Sequence, residues 1–260
     1  MEQLHMKSRI KLLIIIITSF SFFACKAKQE QPILSEPQMV TKVVERPEFS
    51  WDSAFYFIYK QVEFGPRTPG SEAHEQCATW LSNVLNNMGA KVEVQKTQLL
   101  TADKKSVPCY NIIGSYLPDA KVRNLLAAHW ETSPWADQDN DKVDQPILGA
   151  NDGASGVGIL LEIARQIKKT GTKVGIDIVF FDVEDSGLNN SEDSYCLGSQ
   201  YWAKNPHVPD YYAYKGILLD MVGSEDAVFT MEGASMMFNP EFVNEVWNNA
   251  HQLGHDRYFS

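Results

Sequence analysis

The sequence has little that would let it hold nucleic acid, cross a bilayer or rest on disulfide staples. Cysteine is scarce, four in 260 residues. The spacing of Cys77, Cys109 and Cys196 matches no zinc or redox motif. In an exported protein one pair of the three could close a disulfide and leave one thiol over. The alternative is that all three are small buried apolar residues. Basic residues are outnumbered, 23 Lys and Arg against 33 Asp and Glu, for a net charge of −10. No basic run follows the first few residues, which speaks against a nucleic-acid partner, since phosphate neutralisation needs clustered cations. No apolar stretch reaches the roughly 20 residues that a spanning helix needs. No internal repeat is visible.

What is present begins with a targeting signature. Lys7, Arg9 and Lys11 precede an apolar run from Leu12 to Ala24, the charged and apolar regions of a signal peptide. The run ends at Phe22-Phe23-Ala24-Cys25. A small residue followed by Cys resembles the cleavage box of bacterial lipoproteins, although Phe22 stands where Leu is usual. The expectation is a leader over residues 1–25 and an exported, cell-envelope protein held to a membrane by a lipid on Cys25. The alternative is ordinary signal cleavage to a periplasmic protein, with Cys25 incidental. Residues 26–48, rich in Lys, Gln, Glu and Pro, read as a flexible tether.

Residues 49–260 suffice for one well-buried α/β domain. Ser50 caps a helix from Trp51 to about Glu63, and the run Phe64-Gly65-Pro66-Arg67-Thr68-Pro69-Gly70-Ser71 breaks it. Ser71 opens a second helix that stops at Met88-Gly89. Lys91–Leu99 alternates like a half-solvated strand, Tyr110–Leu117 is a second, and Val122–His129 is apolar enough to be covered on both faces. A polar loop spans Glu131–Pro146. After Asn151-Asp152-Gly153 comes a strong helix, with Val157, Leu160, Leu161, Ala164 and Ile167 on one face and Gly171 as its stop. Ile176–Phe181 and Gly216–Val222 read as further strands, and Asn239–Leu253 as an amphipathic helix. Alternating strands and helices predict a mixed, largely parallel central sheet flanked by helices.

In such sheets ligands bind beyond the carboxyl ends of the strands. His129 and Glu131 follow one central strand; Asp182, Glu184 and Asp185 follow another; Asp220 lies near the end of a third; Asp152 precedes the long helix. Carboxylates gathered in one cleft repel one another, and a divalent cation relieves that repulsion. With a histidine in the set, zinc is the natural cation, because it accepts mixed nitrogen and oxygen ligands.

These residues also carry a family resemblance. Gly149-Ala150-Asn151-Asp152-Gly153-Ala154-Ser155-Gly156-Val157 resembles the metal loop of the zinc aminopeptidase clan, and Phe180-Phe181-Asp182-Val183-Glu184-Asp185 its strand with paired acids. Within the clan the chain from Trp51 onward is most similar to the bacterial glutaminyl cyclases. Phe64-Gly65-Pro66-Arg67, Ala128-His129-Trp130, Leu197-Gly198-Ser199-Gln200-Tyr201-Trp202-Ala203-Lys204 and Leu218-Leu219-Asp220-Met221-Val222-Gly223 carry that likeness. The resemblance implies Asp152 and Asp185 as zinc ligands, Glu184 as general acid/base and Asp220 as a substrate-orienting carboxylate. It implies one zinc, and peptide or protein N-termini as substrates, with N-terminal Gln converted to pyroglutamate and ammonia released. In a two-zinc aminopeptidase the same residues would hydrolyse N-terminal residues, and His129 and Asp220 would ligate a second metal. Asp185 stands where many relatives have Glu, and Glu131 where the clan's His-x-Asp motif has Asp. The resemblance further expects a third ligand, a His, beyond Ser260, so that this chain lacks the last strands and is inactive as it stands. His251 and His255 do not match that ligand's context and read as surface residues.

Overall fold

The computed structural model describes residues 47–136, 138–188 and 191–260. The expected leader, Cys25 and most of the tether lie outside these residues.

Helix α1, Trp51–Val62, starts where the sequence places it: the Ser50 hydroxyl accepts a hydrogen bond from the Ser53 N–H, satisfying one of the free amides of the first turn. Helix α2, Glu72–Asn87, is capped in the same way by Ser71 through the His74 N–H. Five strands follow the chain as β1 Lys91–Leu100, β2 Ser106–Tyr116, β3 Arg123–His129, β4 Gly175–Phe181 and β5 Lys215–Leu218. Between β3 and β4 runs helix α3, Ala154–Thr170. Helix α4, Leu197–Lys204, lies between β4 and β5, and α5, Gly233–Phe238, and α6, Pro240–Gln252, come last.

The sheet order is β1-β2-β4-β3-β5. β1, β2 and β4 pair antiparallel, whereas β3 pairs parallel with both β4 and β5. The parallel part of this mixed sheet is therefore the part that sets His129, the residues after Phe181 and those after Leu218 at one edge. In register, His129 sits opposite Phe181.

Burial explains the composition of each strand. β1 alternates between exposed and half-buried positions, as an edge strand with one solvated face should. β4 is covered on both sides: Ile178 and Phe180 join the larger core, Val179 and Phe181 the smaller. The larger core takes Leu81 and Leu85 of α2 and Val157, Leu160, Leu161 and Ala164 of α3, the stripe anticipated from its spacing. β5 is shorter than the expected Gly216–Val222 and mostly exposed. The chain leaves the strand at Leu219, and Met221 turns it with φ of 48°. The three cysteines are free thiols, Cys77 and Cys109 buried and Cys196 half-buried.

Candidate active site

Four chain segments meet at the carboxyl edge of β3, β4 and β5. The first contributes His129, whose ring is 4 % exposed with Nε2 2.9 Å from Asp152 Oδ1 and 3.3 Å from Asp220 Oδ1. Its Nδ1 lies 3.5 Å from Glu131 Oε2. Burial works against a protonated ring, but the hydrogen bonds of Asp152, Asp220 and Glu131 outweigh it and raise the His129 pKa well above its usual range.

Asp152 stands on the loop before α3. That loop is fixed from behind by Arg67, whose side chain is fully buried. The guanidinium donates to the carbonyls of Trp130, Leu148 and Gly149 at 3.0, 2.9 and 2.9 Å. It also reaches Gln61 O and Gly65 O at 3.4 and 3.5 Å. Among the described residues no carboxylate pairs with it directly, and carbonyl oxygens satisfy the cation. From the other side Asn151 Oδ1 accepts from Gly223 N at 2.7 Å, and Ser155 Oγ accepts from Val222 N at 3.1 Å. These bonds tie the Asp152 loop to the segment that carries Asp220. The approach is so close that a Cβ at Gly156 would lie 2.4 Å from Leu219 O, so only glycine fits there.

After β4 the chain divides its acids by a backbone turn. Asp182 points inward, fully buried. Both its oxygens lie 2.9 Å from His74 Nε2, and it accepts the Tyr110 and Val183 amides at 2.6 and 2.8 Å. His74 in turn stacks on Trp130, with centroids 4.7 Å apart. Burial raises the Asp182 pKa, against the opposing pull of His74. Val183 then adopts φ of 51°, a left-handed conformation that costs a β-branched residue about 1–3 kcal/mol. The turn sends Glu184 and Asp185 to the cleft. Their amides donate to Glu131 Oε1 at 2.6 and 2.9 Å. Glu131, which stands where the clan's motif has Asp, is thus fully buried, anchors both acids and borders His129.

The expected site residues come together in two overlapping groups. His129, Asp152 and Asp220 form one and His129, Glu184 and Asp185 the other, with the candidate ligand atoms of each within 4.8 Å of one another. Asp152 and Asp185 face each other electrostatically: burial first, then Asp152, Glu184 and Glu131, push Asp185 up to about 8. Burial also raises Glu184, with Glu131 adding to the shift and His129 opposing it. Asp220 is more open than an acid at the rim of a core, its side chain 43 % exposed, because β5 is the sheet's thin edge. Its pKa is held low by the hydrogen bond to His129. His251 and His255 are exposed, and His251 Nε2 lies 2.9 Å from Phe259 O.

The donor set fits a divalent cation. Asp185 Oδ2 is buried without a hydrogen-bond partner among the described residues, and Asp152, Asp220, Glu184 and Asp185, besides Glu131, gather around one imidazole. A cation accepts those lone pairs and removes the repulsion that raises Asp185. Nitrogen and oxygen donors together suit zinc.

A family model, Peptidase family M28, matches residues 111–259, more than half of the chain. The chain belongs to peptidase family M28. The match begins at Asn111, whose Oδ1 accepts from Asp182 N at 3.0 Å, and includes every acid of the cleft. Among solved structures this M28 chain is similar to Tannerella forsythia glutaminyl cyclase, with 50 % identity and a TM-score of 0.80 over 82 % of this chain and 76 % of that one. It is also similar to a leucine aminopeptidase precursor from Bacteroides thetaiotaomicron, with 48 % identity and a TM-score of 0.82 over 84 % and 78 %. A more distant relative is protein YfbL of Escherichia coli, 27 % identical over 150 residues. That alignment covers 58 % of this chain and 42 % of YfbL, so the chain spans less than half the length of that relative.

The resemblance drawn from sequence therefore lies in the right family. Sequence reading missed what holds the acids in place. Arg67, His74 and Glu131 each carry a signal of sorts, a charged or polar residue in an apolar or glycine-bounded setting, but their partners lie 53 to 108 positions away.

Proposed function

We propose that this protein is a zinc-dependent glutaminyl-peptide cyclotransferase, acting on peptides and proteins that begin with Gln. The observation that carries the reading is the pair Glu184 and Asp185. Both are half-buried, both are anchored by Glu131, and both have raised pKa values beside a cation-fitting cleft. The 50 % identity to Tannerella forsythia glutaminyl cyclase supports the cyclase reading.

Asp152 and Asp185 would hold the zinc, which when bound supplies Lewis-acid polarisation of the substrate's γ-carbonyl. The chain's own residues handle protons and position. The α-amine nitrogen attacks the γ-carbonyl carbon, forming the lactam C–N bond. Glu184 takes a proton from that amine and delivers it to the departing nitrogen, so the C–NH2 bond breaks and ammonia leaves. A carboxylate with a raised pKa suits both transfers near neutral pH. Asp220, the most exposed of the four acids at the cleft, would orient the amine. No water enters the balance.

A second reading rests on the likeness to the leucine aminopeptidase precursor and on His129 belonging to both groups of candidate ligands. A two-zinc site with Glu184 deprotonating a bridging water would use the same side chains. Two measurements on the full-length protein decide between them. The cyclase reading expects one tightly bound zinc per chain and ammonia release from Gln-initiated peptides. It also expects Glu184→Gln to lower kcat by about 10²–10⁴-fold. Two tightly bound zincs, release of N-terminal residues from Leu-initiated peptides, or unchanged turnover in Glu184→Gln would overturn it.

We further propose that the protein is exported and held to a membrane by a lipid on Cys25. Among the described residues no helix is long and apolar enough to cross a membrane. Labelled fatty acid incorporated by the wild type and lost in Cys25→Ala would support the anchor; incorporation unchanged in Cys25→Ala would refute it.

A further inference from the structure

The residues that open α4 lie against the segment that carries the acids. Three successive amides, of Cys196, Leu197 and Gly198, donate to the carbonyls of Glu184, Val183 and Asp182 at 2.9, 2.9 and 3.1 Å. These are the free N–H groups at the start of a helix, and here a neighbouring segment of chain consumes them. The fit leaves no room for a side chain at residue 198: a Cβ on Gly198 would lie 2.1 Å from Asp182 O and 2.7 Å from Asn111 Oδ1. Cys196 takes a left-handed conformation with φ of 57°, uncommon for any residue with a Cβ. The consequence is that its side chain turns to Glu184, and Sγ donates to Oε1 at 3.2 Å, well inside the limit for a sulfur donor.

We propose that Cys196 is a positioning residue for the acid/base reaction, its thiol fixing Glu184 Oε1 so that the carboxylate presents Oε2 to the substrate's amine. The inference rests on the acid/base role given to Glu184 above. The backbone clamp and the thiol act together: the clamp sets the height of the Glu184 main chain, and the thiol sets the rotation of its carboxylate. The thiol stays protonated in this role, since burial and the adjacent Glu184 carboxylate push Cys196 up to about 12. It is thus a constant donor and a poor nucleophile.

The test compares Cys196→Ala and Cys196→Ser in the zinc-loaded, full-length protein, each rate taken per folded, metal-bearing chain. The Ala variant is expected to lose about 10- to 30-fold in kcat with KM changed less than about threefold, since orientation acts on the transition state rather than on uniform binding. The Ser variant keeps an O–H donor at the same place and is expected to recover most of kcat. In a Glu184→Gln background Cys196→Ala is expected to cost nothing further, because the two substitutions remove one interaction. A merely structural cysteine would give additive losses and no rescue by Ser. Wild-type kcat in Cys196→Ala, Ser as impaired as Ala, or additivity with Glu184→Gln would each overturn the proposal. If instead Glu184→Gln alone leaves turnover unchanged, the acid/base assignment fails first, and Cys196 fails with it.

Discussion

Arg67→Met replaces a buried guanidinium by an apolar side chain of similar reach and leaves the carbonyls that it served without a donor. Three of its bonds are short, to Trp130, Leu148 and Gly149. A hydrogen bond involving a charged group contributes roughly 1.5–3 kcal/mol, so the three together would contribute about 4.5–9 kcal/mol if independent. Against this, the wild type bears several kcal/mol for taking a cation out of water, a cost that Met does not carry. The balance is a loss of about 2–4 kcal/mol, which in a domain of this size lowers Tm by roughly 4–16 °C. The more discriminating effect is on metal. Leu148 O and Gly149 O lie just before Asn151 and Asp152, so releasing them loosens the loop that offers the Asp152 carboxylate. Outer-layer changes of this kind cost about 10- to 100-fold in metal affinity. Arg67→Lys should recover little, because one ammonium cannot span carbonyls on both sides of a planar fork. The assay is urea unfolding of the metal-free protein alongside zinc titration by calorimetry. Stability within about 0.5 kcal/mol of wild type together with unchanged zinc affinity would refute the clamp.

Two further substitutions test the electrostatics. Asp177 is fully buried where β2, β3 and β4 meet, bonded to Arg123 Nε and Nη2 at 2.6 and 2.9 Å, to Ser115 Oγ at 2.6 Å and to Tyr211 OH at 2.8 Å. Burial alone would raise its pKa, but these donors outweigh burial and lower it. A depressed carboxylate contributes stability that is complete above its unfolded value and lost as pH falls through the folded one. Asp177→Asn should therefore cost about 3–5 kcal/mol near pH 7 and progressively less below pH of about 4; a cost that does not change with pH would count against the pair. Asp185 has the opposite sign. Its pKa near 8 means that the native, metal-free protein binds a proton the unfolded chain has already released, so its stability falls as pH rises from about 4 to 8. Asp185→Asn should stabilise the metal-free protein by on the order of 2 kcal/mol at pH 8, after discounting for the partly open cleft, while weakening zinc binding. Metal-free melting curves insensitive to the substitution at pH 8 would contradict the crowding of carboxylates there.

The elements were legible because each is written locally. Ser50 and Ser71 announce their helices through a cap that reaches three residues on, and the stripe Val157, Leu160, Leu161 and Ala164 declares its buried face through period alone. The ends of β3 and β4 were legible for the same reason, and with them the positions of His129, Glu184 and Asp185, whereas β5 stops at Leu218, two residues before Asp220. Which acid faces the cleft was legible only through the family resemblance, which chose Glu184 and Asp185 over Asp182, and not through strand period. Asp182, Glu184 and Asp185 differ little as letters, and the choice among them is made by one left-handed residue, Val183, and by two distant acceptors and donors, Glu131 and His74. A period of two would put Asp182 and Glu184 on the same face of a strand. The turn at Val183 instead buries the first against His74 and releases the second to Cys196 and the cleft. The strain stored at Val183 is sustained by its surroundings: the Asp182 carboxylate accepts its amide, Leu197 N donates to its carbonyl, and Glu131 holds the two residues that follow. The position of Glu184 is therefore a product of contacts that span up to 108 positions of sequence. No window short enough to read a helix or a strand could have contained them.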